Sequence, residues 1–119
     1  MSFIKAKDLD NIKSFNGDPG DPTYWTVNDI LYMTYNYNAC IPVFYKILKK
    51  VGKATFELVK LEKKVVNGSY NSPAGYEVIP TNETADTAVK RVRISKGRVS
   101  IDKERLYLWD GNPVHGYSD

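Results

Sequence analysis

Residues 43–66 read VFYKILKKVGKATFELVKLEKKVV, and this stretch decides the fold. Val43, Tyr45, Ile47 and Val51 share one parity of a period-two strand, while Phe44, Lys46, Leu48 and Lys50 share the other. Val51-Gly52-Lys53 supplies the reversal. Beyond it Thr55, Phe56, Leu58, Val59, Leu61, Val65 and Val66 continue with β-branched and aromatic residues, and Lys53, Lys60, Lys63 and Lys64 lie between them. The pattern predicts a β-hairpin with a strongly basic exposed side.

Working outward, Val27 to Tyr35 is rich in β-formers of both parities, which predicts a strand apolar on both faces and ended by Asn36-Tyr37-Asn38-Ala39. On the other side, residues 67–75 are turn chemistry throughout, with Asn67-Gly68 the specific signal for a reversal. Tyr76 to Ile79 reads as a short strand stopped by Pro80, and Thr81 to Asp86 as a polar loop. Val89 to Ile101 reads as a second hairpin turning at Lys96-Gly97, with Arg91, Arg93 and Arg98 on its outer parity. Leu106 to Trp109 reads as a last strand, closed by Asp110-Gly111-Asn112-Pro113.

Six or so short strands, with turn signals about every ten residues, predict a mostly-β protein, a small antiparallel barrel of SH3-like size or a sandwich. Closure of the sheet removes exposed edges, which a short chain can ill protect otherwise. The expected organisation is an arm over residues 1–26, a β-barrel domain over 27–113 and a flexible tail over 114–119. Within the arm, Ala6 to Ser14 fits a short helix, and residues 17–22, Gly-Asp-Pro-Gly-Asp-Pro, fit only a linker or long turn.

The chain of 119 residues is 42% hydrophobic and 26% charged, which suits one compact core and excludes a disordered chain. One cysteine, Cys40, excludes an internal disulfide framework and fits a reducing compartment. There is no apolar run of membrane-spanning length, and the residues after Met1 lack a signal-peptide core, so a soluble intracellular protein is expected.

Net charge is +3, unevenly spread. Residues 1–30 hold three Lys against five Asp; residues 43–66 hold seven Lys against two Glu; residues 89–105 hold seven Lys or Arg against two acids. Two basic segments therefore alternate with acidic ones. That polarity points to an anionic partner, DNA or RNA or an acidic protein surface. The plainer alternative is that Lys solvates strand faces and blocks edge-to-edge aggregation.

Catalytic chemistry finds no constellation here. The lone His115 has no Cys or carboxylate partners at zinc-ligand spacing, Cys40 and the serines lack a base close in sequence, and no Gly-rich phosphate loop opens a helix. Neither a metal nor a cofactor is expected. The candidate partner-binding residues are Lys46, Lys49, Lys50, Lys53, Lys60, Lys63, Arg91, Arg93 and Arg98, whose outward parities merge into one positive face if the two hairpins are neighbours. Tyrosine occurs nine times, and Tyr32, Tyr35, Tyr37, Tyr45 and Tyr70 either cover the core or offer flat faces to a partner; Tyr35 and Tyr37 join the candidates. Trp109 either plugs one end of the barrel or is an exposed anchor.

The order of a Tyr35-Asn36-Tyr37-Asn38 turn, a Phe44-Tyr45-Lys46-Ile47 strand, Val78-Ile79-Pro80, Arg91-Val92 and a terminal Leu108-Trp109-Asp110-Gly111-Asn112-Pro113 resembles a family of small, poorly characterised proteins carried by bacterial phages and plasmids, marked by a Trp-Asp-Gly-x-Pro motif near the end. The resemblance covers about residues 27–113, and the turn at Tyr35 is shorter than in those relatives. It implies a mobile-element origin and an accessory role in the cytoplasm of a bacterial host, and it carries over no catalytic residues. Counter-defence roles are common among such genes. The functional expectation is a non-enzymatic protein that binds a host protein or nucleoprotein complex and inhibits or modulates nucleic-acid handling; direct nucleic-acid binding and a structural or assembly role are the alternatives.

Overall fold

The structure, a computed structural model, describes residues 21–36, 39–70 and 72–117. The helix expected at Ala6 to Ser14 lies outside them. Eight strands follow a 3-10 turn at Pro22–Tyr24: β1 (Ile30–Asn36), β2 (Cys40–Val51), β3 (Thr55–Gly68), β4 (Tyr76–Arg93), β5 (Ser100–Ile101), β6 (Glu104–Arg105), β7 (Tyr107–Leu108) and β8 (Val114–Gly116). Six form one antiparallel sheet in the order β7-β1-β2-β3-β4-β8, and β5 pairs with β6. Among the described residues no helix is long and apolar enough to cross a membrane.

This is the mostly-β fold the strand periodicity predicts, curled into a half-barrel. Curling follows from the register. β4 pairs with β3 along its whole length, from Thr55 opposite Arg93 to Gly68 opposite Tyr76, whereas β2 pairs only with the first half of β3, Thr55 to Leu61. β8 adds to the start of β4, with Tyr76 opposite Gly116, and Tyr117 exchanges both backbone hydrogen bonds with Cys40 at the start of β2, each 2.9 Å. One end of the sheet is thereby drawn shut, which satisfies edges that would otherwise invite pairing with other chains.

Two apolar clusters form on the two faces of β1 and β2; this is expected of β1, apolar on both sides, but corrects the half-buried reading of β2, whose Phe44 is fully buried on the side read as exposed. Leu31, Met33, Val43, Tyr45, Ile47, Phe56 and Leu58 pack on the outer face beneath Trp25, Val99, Ile101 and Leu106. Ile30, Phe44, Leu61, Tyr76, Val78 and Trp109 fill the inside of the curl. Trp109 is 2% exposed, its ring meets Phe44 edge-on at 6.0 Å, and its Nε1–H donates to the Asn112 carbonyl at 2.7 Å. It is a core plug, and the alternative of an exposed anchor is excluded.

Several expectations are corrected. Pro80 does not end a strand and Thr81 to Asp86 is not a free loop: β4 runs unbroken from Tyr76 to Arg93. Pro80 lies opposite Lys63, next to a slip in the β3–β4 register, and β4's other edge carries β8 only opposite Tyr76 to Val78, a bulged and half-open setting of the kind that tolerates proline in a strand. From Leu61 to Val59 the partner residues jump from Thr84 to Val89, so the polar stretch is absorbed as bulges. The second hairpin is reduced to one bridge, Ser95 with Arg98, because Ser100 and Ile101 pair forward with β6 instead of back with β4. Residues 114–117 are not a loose tail but a strand and its bridge. Trp25, grouped by sequence with the arm, is 2% exposed and packs 6.0 Å from Phe56.

Candidate functional site

The β2–β3–β4 ribbon brings the two basic segments together, and the register states how. Lys49 lies opposite Glu57, and Glu57 opposite Arg91, so three charged residues form one rung across three strands. One rung toward the closed end, Lys46 faces Val59 and Val59 faces Val89; one rung toward the hairpin tip, Val51 faces Thr55 and Thr55 faces Arg93. All of these lie on the inner parity of the sheet, the parity of Phe44 and Leu61, but beyond the reach of the inner apolar cluster. Lys49, Val89, Arg91 and Arg93 are exposed there.

Strands are about 4.8 Å apart, so Lys49 and Arg91 stand roughly 10 Å from each other with Glu57 between them. Arg91 Nη2 approaches Glu57 Oε2 at 3.9 Å, with the Arg91 side chain 63% exposed. An exposed pair at that distance contributes little to stability. Glu57 thus trims the positive face without neutralising it.

A β-bulge between Ile47 and Lys49 explains which lysines reach this face. Strict alternation puts Lys50 with Lys46; the extra residue, Leu48, reverses the parity after it. Lys49 therefore joins Lys46, and Lys50 turns to the outer face, opposite Phe56. There its Nζ lies 5.6 Å from the Phe56 ring centroid and donates to the Thr23 carbonyl at 2.8 Å. Lys50 fastens the 3-10 turn to the sheet and leaves the candidate face.

The remaining candidates separate likewise. Lys60 pairs with Tyr45 on the outer parity and is exposed on the opposite side from Arg91. Lys63 is half-buried, its Nζ donates to the Pro42 carbonyl at 2.6 Å, and burial, with Lys60 nearby, lowers its pKa. Lys53 is exposed in the β2–β3 turn. That turn docks on the chain leaving β4 through Ile94 N–H to the Ala54 carbonyl, 2.7 Å. Arg98 lies across the Lys96-Gly97 turn and lines a cleft with Arg93.

The candidate Tyr35 does not extend the positive face. Tyr35 packs against the outer cluster and its hydroxyl donates to Asp102 at 3.1 Å; desolvation and that bond push its pKa up to about 12. Tyr45 is buried, Tyr32 stacks on Tyr107 at 5.8 Å, and Tyr70 meets Tyr76 at 4.6 Å. Tyr37 lies outside the described residues. Tyr35 thus lies on the outer parity, away from Lys49 and Arg91.

A residue that sequence reading left out is Glu57, whose place between Lys49 and Arg91 needed the register of all three strands. Among the described residues no group of His, Cys, Asp and Glu is arranged to hold a metal ion. No family model, curated protein or solved structure matches the chain.

Proposed function

We propose that this chain is a non-enzymatic accessory protein of a phage or plasmid that binds a macromolecular partner through the β2–β3–β4 face and so modulates a host complex that handles nucleic acid. The observation that carries the reading is the gathering of exposed Lys49, Arg91 and Arg93, with half-buried Lys46 beside them, on one side of three paired strands. The face is not uniformly positive: Glu57 sits at its centre and Val89 is 53% exposed within it. A mixture of forked cations, one acid and an apolar residue suits a protein or nucleoprotein surface better than a bare phosphate backbone.

The test is a charge removal that spares the core. Lys46→Gln, Lys49→Gln and Arg91→Gln together take away three cations without setting new carboxylates beside Glu57, and at about 0.5 kcal/mol each, the usual scale of surface substitutions, they shift thermal unfolding by a few degrees at most. In a bacterial host, the tagged parent co-purifies with a complex that handles nucleic acid and the triple variant does not. Equal recovery of the same complex by parent and variant sinks the reading. Direct nucleic-acid binding, favoured by the same four cations, is the second reading. It requires that titration with single- and double-stranded DNA and RNA give saturation without host protein, and that nuclease treatment abolish the co-purification.

A further inference from the structure

The Lys96-Gly97 turn, which pairs almost nothing, builds a second feature. Lys96 and Gly97 both have positive φ, 53° and 78°, the geometry of a tight primed reversal, and Ser95 and Arg98 exchange backbone hydrogen bonds of 2.8 and 3.1 Å across it. Alternation then divides both arms by face. Val92, Ile94, Val99 and Ile101 pack on or into the outer apolar cluster. Arg93, Ser95, Arg98 and Ser100 take the opposite parity and, with Lys96, line an open cleft of about 570 Å³. Three cations and two hydroxyls line it, and no carboxylate does.

We propose that this cleft binds a terminal phosphate ester of nucleotide size, held by the guanidinium groups of Arg93 and Arg98, the ammonium of Lys96 and the hydroxyls of Ser95 and Ser100. Arginine forks match phosphate oxygens with paired N–H donors, lysine adds a point charge, and serine hydroxyls donate to the remaining oxygens. A cleft of this volume lies within the range of small-molecule sites and exceeds what a bare phosphate fills, so part of the ester's organic body enters with it. The hydrophobic arms beneath anchor the backbone of the two segments that carry the donors. The proposal stands apart from the macromolecular face except at Arg93, which borders both.

The experiment titrates the full chain, by calorimetry or amide chemical shifts, with inorganic phosphate, a nucleoside 5′-triphosphate, and one oligonucleotide with and without a 5′-phosphate. Saturable binding of the triphosphate is expected, with shifts centred on Ser95 to Ser100, and weaker binding of inorganic phosphate. Arg98→Gln and Lys96→Gln each weaken the triphosphate by about tenfold, as loss of a charge-assisted hydrogen bond does, and Lys49→Gln leaves it unchanged. If the 5′-phosphorylated oligonucleotide binds more tightly than its unphosphorylated twin, the source is a nucleic-acid end; if only the triphosphate binds, it is a free nucleotide. Absence of saturation with every phosphate probe, or unchanged affinity in Arg98→Gln with unchanged thermal unfolding, overturns the cleft and leaves the β2–β3–β4 face untouched. Loss of macromolecular partner in the Lys46, Lys49, Arg91 triple variant with retained triphosphate binding keeps the cleft while confirming that the two surfaces are separate.

Discussion

Single residues hold this half-barrel through a few specific contacts. Trp109 is the largest of them, because it fills the curl and ties its indole N–H to Asn112 in the turn that follows. Trp109→Ala is expected to cost about 3–5 kcal/mol, the usual range for emptying a buried aromatic site. Trp109→Phe keeps most of the volume but strands the Asn112 carbonyl, so it should cost about 1–3 kcal/mol. Urea unfolding of the two variants checks both, and an Ala variant near the parent's midpoint would show that the ring does not plug the curl. Tyr35 offers a pH signature. Its phenol is pushed from the ordinary 10.0 up to about 12 by desolvation and by Asp102, so the folded state holds the proton more tightly than the unfolded chain does. The stabilisation linked to that proton is complete below pH 10 and is lost as pH climbs through about 12. In an absorbance titration of the tyrosines, Tyr35→Phe should remove one phenolate from the most alkaline part of the curve; a loss from the ordinary part would contradict the Asp102 bond.

At the scale of elements, reversals and additions control the shape. Gly75 has φ +86°, and a side chain there would collide with the Gly116 carbonyl oxygen and meet His115 Cε1 at 2.8 Å. Gly52 has φ +65° at the β2–β3 tip, with nothing within 4 Å of the same position. Gly75→Ala therefore combines left-handed strain with a clash against β8 and should cost about 2 kcal/mol or more, whereas Gly52→Ala costs only the strain, about 1 kcal/mol. Thermal melts of the pair separate the two, and equal shifts would mean that β8 does not seat against Gly75. β8 matters for a larger reason. Ending the chain after Pro113 removes its pairing with β4 and the Tyr117–Cys40 bridge that draws the sheet shut. The truncated chain should lose on the order of 2 kcal/mol or more, through lost strand bonds and uncovered Tyr76 and Val78, and gain a tendency to associate through the opened edge. Denaturation together with sizing at two concentrations reads both effects.

For the whole molecule, the decisive feature is separation of roles between the two sides of one ribbon. The outer side of β2–β3–β4 is covered by Trp25, the 3-10 turn and the segment from Val99 to Leu106; the inner side at the same end is left open and carries Lys46, Lys49, Arg91 and Arg93. Charge is thus concentrated although the net value is only +3. If the partner presents phosphates, binding should weaken linearly on a log–log plot against salt, by roughly 0.7–0.9 in slope for each phosphate neutralised, and Lys49→Gln should lessen that slope by about one. A slope near zero at measurable affinity would instead indicate an apolar or uncharged contact.

The β class, the hairpin of residues 43–66, the two-faced β1 strand and the clustering of cations in two segments were all legible in the chain, because strand periodicity and turn chemistry act over a few neighbouring residues. What escaped was whatever depended on pairing between distant segments. Leu48 carries no mark of an extra residue until β3 fixes the register, yet that bulge decides that Lys49 and not Lys50 joins the positive face. Pro80 and the polar residues after it look like a strand end, and only β3 alongside, with its slipped register, holds them in β4. Val114 to Gly116 has too little apolar character to announce a strand, and the exposed edge of Tyr76 to Val78 recruits it. Local sequence set which segments extend and where they turn; tertiary pairing alone set which side of the sheet each lysine and arginine occupies, since a one-residue slip moves every following side chain to the other face.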